Sequence, residues 1–253
     1  MNYFLLIILG ILPSLIWLLY FLKKDVNPEP KKIILKIFLY GMLSPLPIVA
    51  FVLLLNFFQL QDDFDRFIAL SMLLLTLNIL FFATIEEILK YLAVKINLKN
   101  SEIDEPTDIM LYMITAGLGF AALENILILF GAHPIFTLPD IFILSFLRFI
   151  SATFLHALCS GIVGYFWALS FFEIKNRKKL LITGLIIASF LHGLYNFSIL
   201  IIWEFLGFLI LAALIVITIL IGLFIFILFG FKKLKKMKGV CKVENISLSK
   251  IFN

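Results

Sequence analysis

Charge is scarce in this sequence. Asp, Glu, Lys and Arg supply only 15% of its 253 residues, where a soluble domain carries about 25%. Apolar residues supply 63%, against about 45–50% in soluble domains, and the mean hydropathy is +1.13. So small a polar complement excludes water as the main solvent of the fold. The sequence also lacks the apolar/polar alternation of barrel strands, and its uninterrupted apolar runs of helix length exclude a membrane β-barrel. Cysteine is nearly missing: Cys159 lies in an apolar run and Cys241 in a basic tail, which excludes a disulfide scaffold. Histidine occurs three times and never as His-Glu-x-x-His, so the zincin helix is excluded. No internal repeat and no low-complexity linker occurs. The first apolar run has neither a basic n-region nor a small-residue cleavage site, and it is expected to be retained as a helix.

What the sequence has in quantity is helix-length apolar segments of roughly 20 residues. Seven are read, near Asn2–Leu22, Ile33–Phe58, Phe67–Asn97, Asp108–Gly131, Leu144–Glu173, Leu180–Ile202 and Phe205–Phe231. The fold class is therefore all-α, a polytopic transmembrane bundle of about seven spans with a polar intramembrane site. The third and fifth segments are long, which predicts tilt or protruding ends. Ala132–Ile143, with Pro134 and Pro139, reads as a loop and an interfacial turn. Asp108 reads as a helix start, capped by Thr107 or Asp108. One transmembrane domain over 1–231 and a basic cytoplasmic tail over 232–253 are expected.

Of the 21 Lys and Arg residues, all but Arg66, Lys90 and Arg148 lie on alternate connections or in the tail. They are Lys23, Lys24, Lys31, Lys32 and Lys36; Lys95 and Lys99; Lys175, Arg177, Lys178 and Lys179; and the tail lysines from Lys232 onward. The positive-inside rule then puts the amino terminus outside and the carboxyl terminus in the cytoplasm. Charge spread along one membrane face suits contact with anionic lipid and not with nucleic acid.

An ionisable group inside a span costs at least about 2.5–3.5 kcal/mol, so each one is a functional candidate. The set is Glu86, Glu87 and Lys90 in the third span, Glu124 and Asn125 in the fourth, Arg148 and His156 in the fifth, and His192 and Asn196 in the sixth. At about 1.5 Å per residue, Glu86, Glu124, His156, His192 and Asn196 all fall between the midplane and the outer leaflet. Glu86 and Lys90 are i, i+4 neighbours able to neutralise each other. Ala152, His156, Ser160 and Gly164 form a stripe of small residues around a histidine, and Gly117 and Ala121 form another leading towards Glu124 and Asn125, as close helix packing requires. Bland roles stand beside these: Glu124–Asn125 as a packing clamp, Arg148 as an interfacial snorkelling residue, and the glycines of the GLGF string as packing residues.

Water attack on a peptide bond needs a base and an oxyanion donor. Glu86 or Glu87 fits the first, and His156, His192 and Asn196 the second. An alternative set has His156 and His192 with Glu86, Glu87 or Glu124 as ligands of Zn²⁺. A proton-coupled transporter or a non-catalytic membrane scaffold is the rival from another class, since intramembrane Glu and His also form proton relays.

The string EEILK (Glu86–Lys90), the segment from Asp104 to Asn125, the stretch from Arg148 to Phe166 and HGLYNF (His192–Phe197) resemble, in order and spacing, the PrsW family of membrane-embedded proteases. The likeness covers about residues 78–197 and extends to the wider clan of CAAX-processing endopeptidases. It implies Glu86 and Glu87 as the water-activating pair, with His156, His192 and Asn196 as the other catalytic groups. Lys90, Glu124 and Asn125 then support them. The clan's Phe-x-x-x-His step is not met, because Ala152 stands four residues before His156. The implied substrate is a membrane-anchored protein such as an anti-sigma factor, cut in a site-1 manner on the outer side of the cytoplasmic membrane. The His-x-x-x-Asn step favours a metal-free glutamate mechanism, with Zn²⁺ as the alternative.

Overall fold

The computed structural model describes residues 3–25, 27–58, 72–98, 103 and 105–237. Every regular element among them is helical: α1 Tyr3–Leu22, α2 Lys31–Leu43, α3 Leu46–Phe57, α4 Met72–Asn97, α5 Pro106–Ala132, α6 Leu138–Ile150, α7 Ala152–Ser170, α8 Arg177–Phe197 and α9 Leu209–Lys236. A 3₁₀ turn precedes α8, and a π-helical stretch, Ser198–Phe205, follows it. Seven stretches are long and apolar enough to cross a membrane: Tyr3–Leu22, Lys31–Leu55, Met72–Asn97, Pro106–Ala132, Leu138–Ser170, Arg177–Trp203 and Leu209–Lys236. These are the seven spans expected from the sequence. Arg66, the start of the third expected span, Cys241 and the tail beyond Met237 lie outside the described residues.

Three local expectations change. The fifth span is two helices, α6 and α7, meeting at Ser151 (φ −119°, ψ −82°), and not one long tilted helix. Its first half starts at Leu138, inside the segment read as a loop, because Thr137 N–H donates to Asp140 Oδ2 at 3.0 Å and ties off the helix start. At the head of α5 the N-cap is Glu105, with Pro106 following, and Asp108 is the third helical residue. Its Oδ2 accepts from the Glu105 N–H at 2.6 Å, so Asp108 closes the first turn from inside and does not cap it.

α5 is the axis of the bundle. From Pro106 to Ala122 every residue is buried, an all-round burial that only a helix enclosed by others shows. Glycine allows the enclosure. A Cβ on Gly119 would lie 2.1 Å from Phe38 O of α2, and one on Gly117 would lie 2.3 Å from Ser160 Oγ and 2.7 Å from His156 O of α7. The GLGF glycines are thus packing residues, and the small-residue stripe around His156 faces α5, as expected.

Two helix interruptions are mended by side chains, as a bilayer demands of any freed carbonyl. Pro13 lies inside α1 and has no N–H for Leu9 O; Ser145 Oγ donates to that oxygen at 3.0 Å. At the α6–α7 break, Trp17 Nε1 donates to Phe149 O at 2.9 Å while its ring stacks on Phe154 at 4.0 Å.

Candidate active site

The polar residues of five helices meet in one cluster. On α4, Glu87 and Lys90 are wholly buried. Lys90 Nζ donates to Glu87 Oε1 at 2.7 Å, contacts His156 Nδ1 at 2.8 Å and lies 4.4 Å over the Phe120 ring. The expected Glu86–Lys90 pair is therefore corrected: the ammonium pairs with Glu87, three residues away on the buried face. Glu86 turns instead to α8, where its Oε2 lies 3.6 Å from His192 Nε2.

Proton positions follow from the partners. A lysine ammonium only donates, so His156 Nδ1 accepts, and the ring proton on Nε2 donates to Glu124 Oε2 at 2.7 Å. A carboxylate only accepts, so His192 Nδ1–H donates to Glu87 Oε1 at 2.8 Å. His192 Nε2 faces Glu86 Oε2 at 3.6 Å, beyond hydrogen-bond distance. The two imidazoles stand edge to face, 4.9 Å between centroids at 90°.

On the far side of His156 the cluster continues through α5 and α6. Glu124 Oε2 also meets Arg148 Nη2 at 2.9 Å, and Arg148 Nε donates to Asn125 Oδ1 at 2.6 Å. Asn125 Nδ2 in turn donates to Thr153 Oγ1 at 3.0 Å and to Gly10 O at 3.3 Å. Arg148 is therefore part of the cluster and not a snorkelling residue, and Glu124–Asn125 clamps helices and also touches His156. The sequence held one signal for this: Glu86, Glu87 and Glu124 outnumber Lys90, and a buried excess of like charge calls for another cation. Asn196, one turn beyond His192, is half-buried and makes no hydrogen bond to the cluster.

Two carboxylate oxygens of the cluster, Glu86 Oε2 and Glu87 Oε2, are buried without a hydrogen-bond partner. One ligand atom from each of Glu86, His156 and His192 lies within 4.8 Å of the others. Two imidazoles and a carboxylate are a donor set found in catalytic zinc sites. Glu86 Oε2 is unpartnered and His192 Nε2 faces it, and the Glu87–His192 bond is the carboxylate–histidine support that such ligands carry. His156 has both nitrogens engaged, and its one lone pair, on Nδ1, is held by Lys90 and would have to be released for it to join them.

A polar cluster of this kind inside a polytopic helix bundle fits an intramembrane enzyme or a proton-coupled carrier. Comparison with known proteins gives the kind. The family described as PrsW family intramembrane metalloprotease matches residues 29–228. Protease PrsW of Geobacillus kaustophilus (strain HTA426) is 31% identical over 201 residues, covering 78% of this chain and 80% of the relative. Protease PrsW of Bacillus subtilis (strain 168) is 31% identical over 193 residues, covering 74% and 79%. Protease PrsW of Oceanobacillus iheyensis (strain DSM 14371 / CIP 107618 / JCM 11309 / KCTC 3954 / HTE831) is 28% identical over 191 residues, covering 74% and 80%. No solved structure matches the chain. The chain belongs to the PrsW family, and it is a multi-pass membrane protease.

Proposed function

We propose that the chain hydrolyses a peptide bond of a membrane-anchored protein, an anti-sigma factor in site-1 fashion being the substrate class implied by its motifs, at a centre made by Glu86, His192 and His156. One observation carries the reading. Glu86 Oε2 and His192 Nε2 face each other at 3.6 Å, too far for a direct hydrogen bond, and the buried Glu86 oxygen has no partner, a gap that suits a shared water, proton or cation.

The residues around this point have distinct tasks. Glu87 fixes the His192 ring through Nδ1, and Lys90 neutralises Glu87 while holding His156. Without a metal, Glu86 meets the attacking water, and its unpartnered Oε2 takes the water proton. Asn196 has no partner in the cluster, so its amide is left for the oxyanion of the substrate, which keeps the role that its motif implies. Glu86, His192 and His156 would also hold a divalent metal, Zn²⁺ by donor type. Bound there, the ion would activate water and polarise the scissile carbonyl. The metal reading gains over the metal-free expectation because the matched family is described as an intramembrane metalloprotease and Glu86, His156 and His192 bring three ligand atoms together.

The loop and helix charges support an outside amino terminus and a cytoplasmic carboxyl terminus in a bacterial cytoplasmic membrane. The deciding experiment combines metal analysis of purified protein with cleavage of a co-reconstituted single-span substrate. Stoichiometric zinc that is lost in His192→Ala, with cleavage falling to background, is the expected result. Full activity without metal, unaffected by chelators and abolished by Glu86→Gln, would return the site to the metal-free glutamate mechanism. Cleavage that survives Glu86→Gln would remove the centre from this cluster.

A further inference from the structure

We infer that Arg148 is a positioning residue for His156, acting through Glu124. This rests on the reading of His156 as a member of the reacting centre and adds to it a residue on another helix. A single oxygen, Glu124 Oε2, takes the Arg148 guanidinium at 2.9 Å and the His156 Nε2–H at 2.7 Å. Arg148 Nε is anchored on Asn125 Oδ1 at 2.6 Å, and Asn125 is anchored on α7 and α1 by Thr153 and Gly10. The guanidinium fork reaches two neighbouring side chains of α5 at once, bonding Asn125 through Nε and holding Glu124 through Nη2 by charge, since that nitrogen makes no hydrogen bond there.

The position of Arg148 in the chain gives the hold a consequence. It lies on α6, whereas His156 lies on α7, beyond the break at Ser151. The backbone does not run as one rigid helix between them, so side-chain contacts register α6 against the histidine, and of these the Arg148–Glu124 bridge is the one that reaches the histidine's own partner. Glu124 is 32% exposed and Arg148 15% exposed as side chains, so without the guanidinium this carboxylate has only a neutral histidine to hold it. It would then turn towards whatever water or headgroup reaches it. His156 Nε2–H would lose its acceptor, and the ring would be free to pivot about its remaining bond to Lys90. A purely structural arginine, anchoring α6 at the interface, would affect expression and stability and leave the imidazole as it was.

The test uses ¹⁵N-histidine NMR of the full-length chain in nanodiscs, where three histidines make the spectrum assignable by single substitutions. It is joined to steady-state cleavage of a single-span substrate. Arg148→Gln is expected to shift the His156 ring nitrogens and leave those of His192 in place. It is expected to lower kcat by about 10–100-fold, the scale of a lost support to a site ligand, with little change in KM. Arg148→Lys, which keeps the charge but not the fork, should restore part of both. In the Glu124→Gln background, Arg148→Gln should add nothing, since both act on one contact. Parent-like His156 resonances in purified Arg148→Gln would overturn the inference, as would losses that multiply in the double variant. If the parent chain cleaves no substrate, the proposed function fails, while the resonances still decide the role of Arg148.

Discussion

Replacement of Lys90 by methionine tests what holds the cluster together. The ammonium is fully buried, 2.7 Å from Glu87 Oε1 and 2.8 Å from His156 Nδ1. Methionine fills much the same volume but removes the charge. Glu87, itself fully buried, then keeps only His192 as a partner, and breaking a buried pair from one side costs about 3–5 kcal/mol. The loss of the Phe120 contact adds about 0.5–2 kcal/mol. Removing both charges, as Lys90→Met with Glu87→Gln, leaves no uncompensated ion and should recover most of that loss, since a buried pair replaced as a whole is close to neutral. The assay is a denaturant titration of the protein in mixed micelles, with the two single variants and the double variant forming a thermodynamic cycle. A coupling of about 2 kcal/mol or more is expected. Lys90→Met within about 0.5 kcal/mol of the parent would refute the argument, because it would mean that the Glu87 charge is solvated by something other than Lys90.

Glu86→Gln should abolish cleavage, by about 10²–10⁴-fold, with the fold intact by circular dichroism. Its carboxylate makes no ion pair with a fixed cation, so its charge is a property of the reaction and not of stability. Asn196→Ala should leave unfolding unchanged, since the amide bonds nothing in the cluster, and should lower kcat by about 10²–10³-fold as a lost oxyanion donor does. In the packing of α5, Gly119→Ala should destabilise by at least about 1–3 kcal/mol, because its Cβ would strike Phe38 O. Gly131→Ala, with nothing within 4 Å of its Cβ, serves as the control near zero. A reporter fused after Lys238 should read as cytoplasmic and one placed between Gln61 and Asp65 as external; both on the same side would refute the seven-span topology.

The spans were legible in the sequence because lipid imposes one rule on every residue of a crossing segment, so composition alone locates them. The candidate residues were legible for the same reason, since Glu86, Glu87, His156 and His192 are conspicuous against an apolar background. What a list of depths could not give was rotation about each helix axis. Glu86 and Glu87 are adjacent and equally eligible to meet Lys90, and only the packing of α4 against α7 and α8 decides that Glu87 takes the ammonium while Glu86 takes the imidazole. Arg148 was misread because it sits near a helix end, where snorkelling is the ordinary outcome, and its partner Glu124 belongs to another span. The break at Ser151 had no proline or glycine to announce it.

That break, together with the one at Pro13, bears on how the chain is assembled in the membrane. Ser145 of α6 supplies the hydrogen bond that Pro13 denies to Leu9 O, and Trp17 of α1 supplies the one to Phe149 O. Each helix carries the other's missing donor. Released singly into the bilayer during synthesis, either would expose a bare carbonyl to hydrocarbon at a cost of several kcal/mol. α1 is therefore incomplete until α6 has been made, more than a hundred residues later in the chain. Its early lifetime calls for a polar stand-in, such as the channel wall or an insertion chaperone, so α1 supplied in trans should dock only onto a bundle that already contains α6.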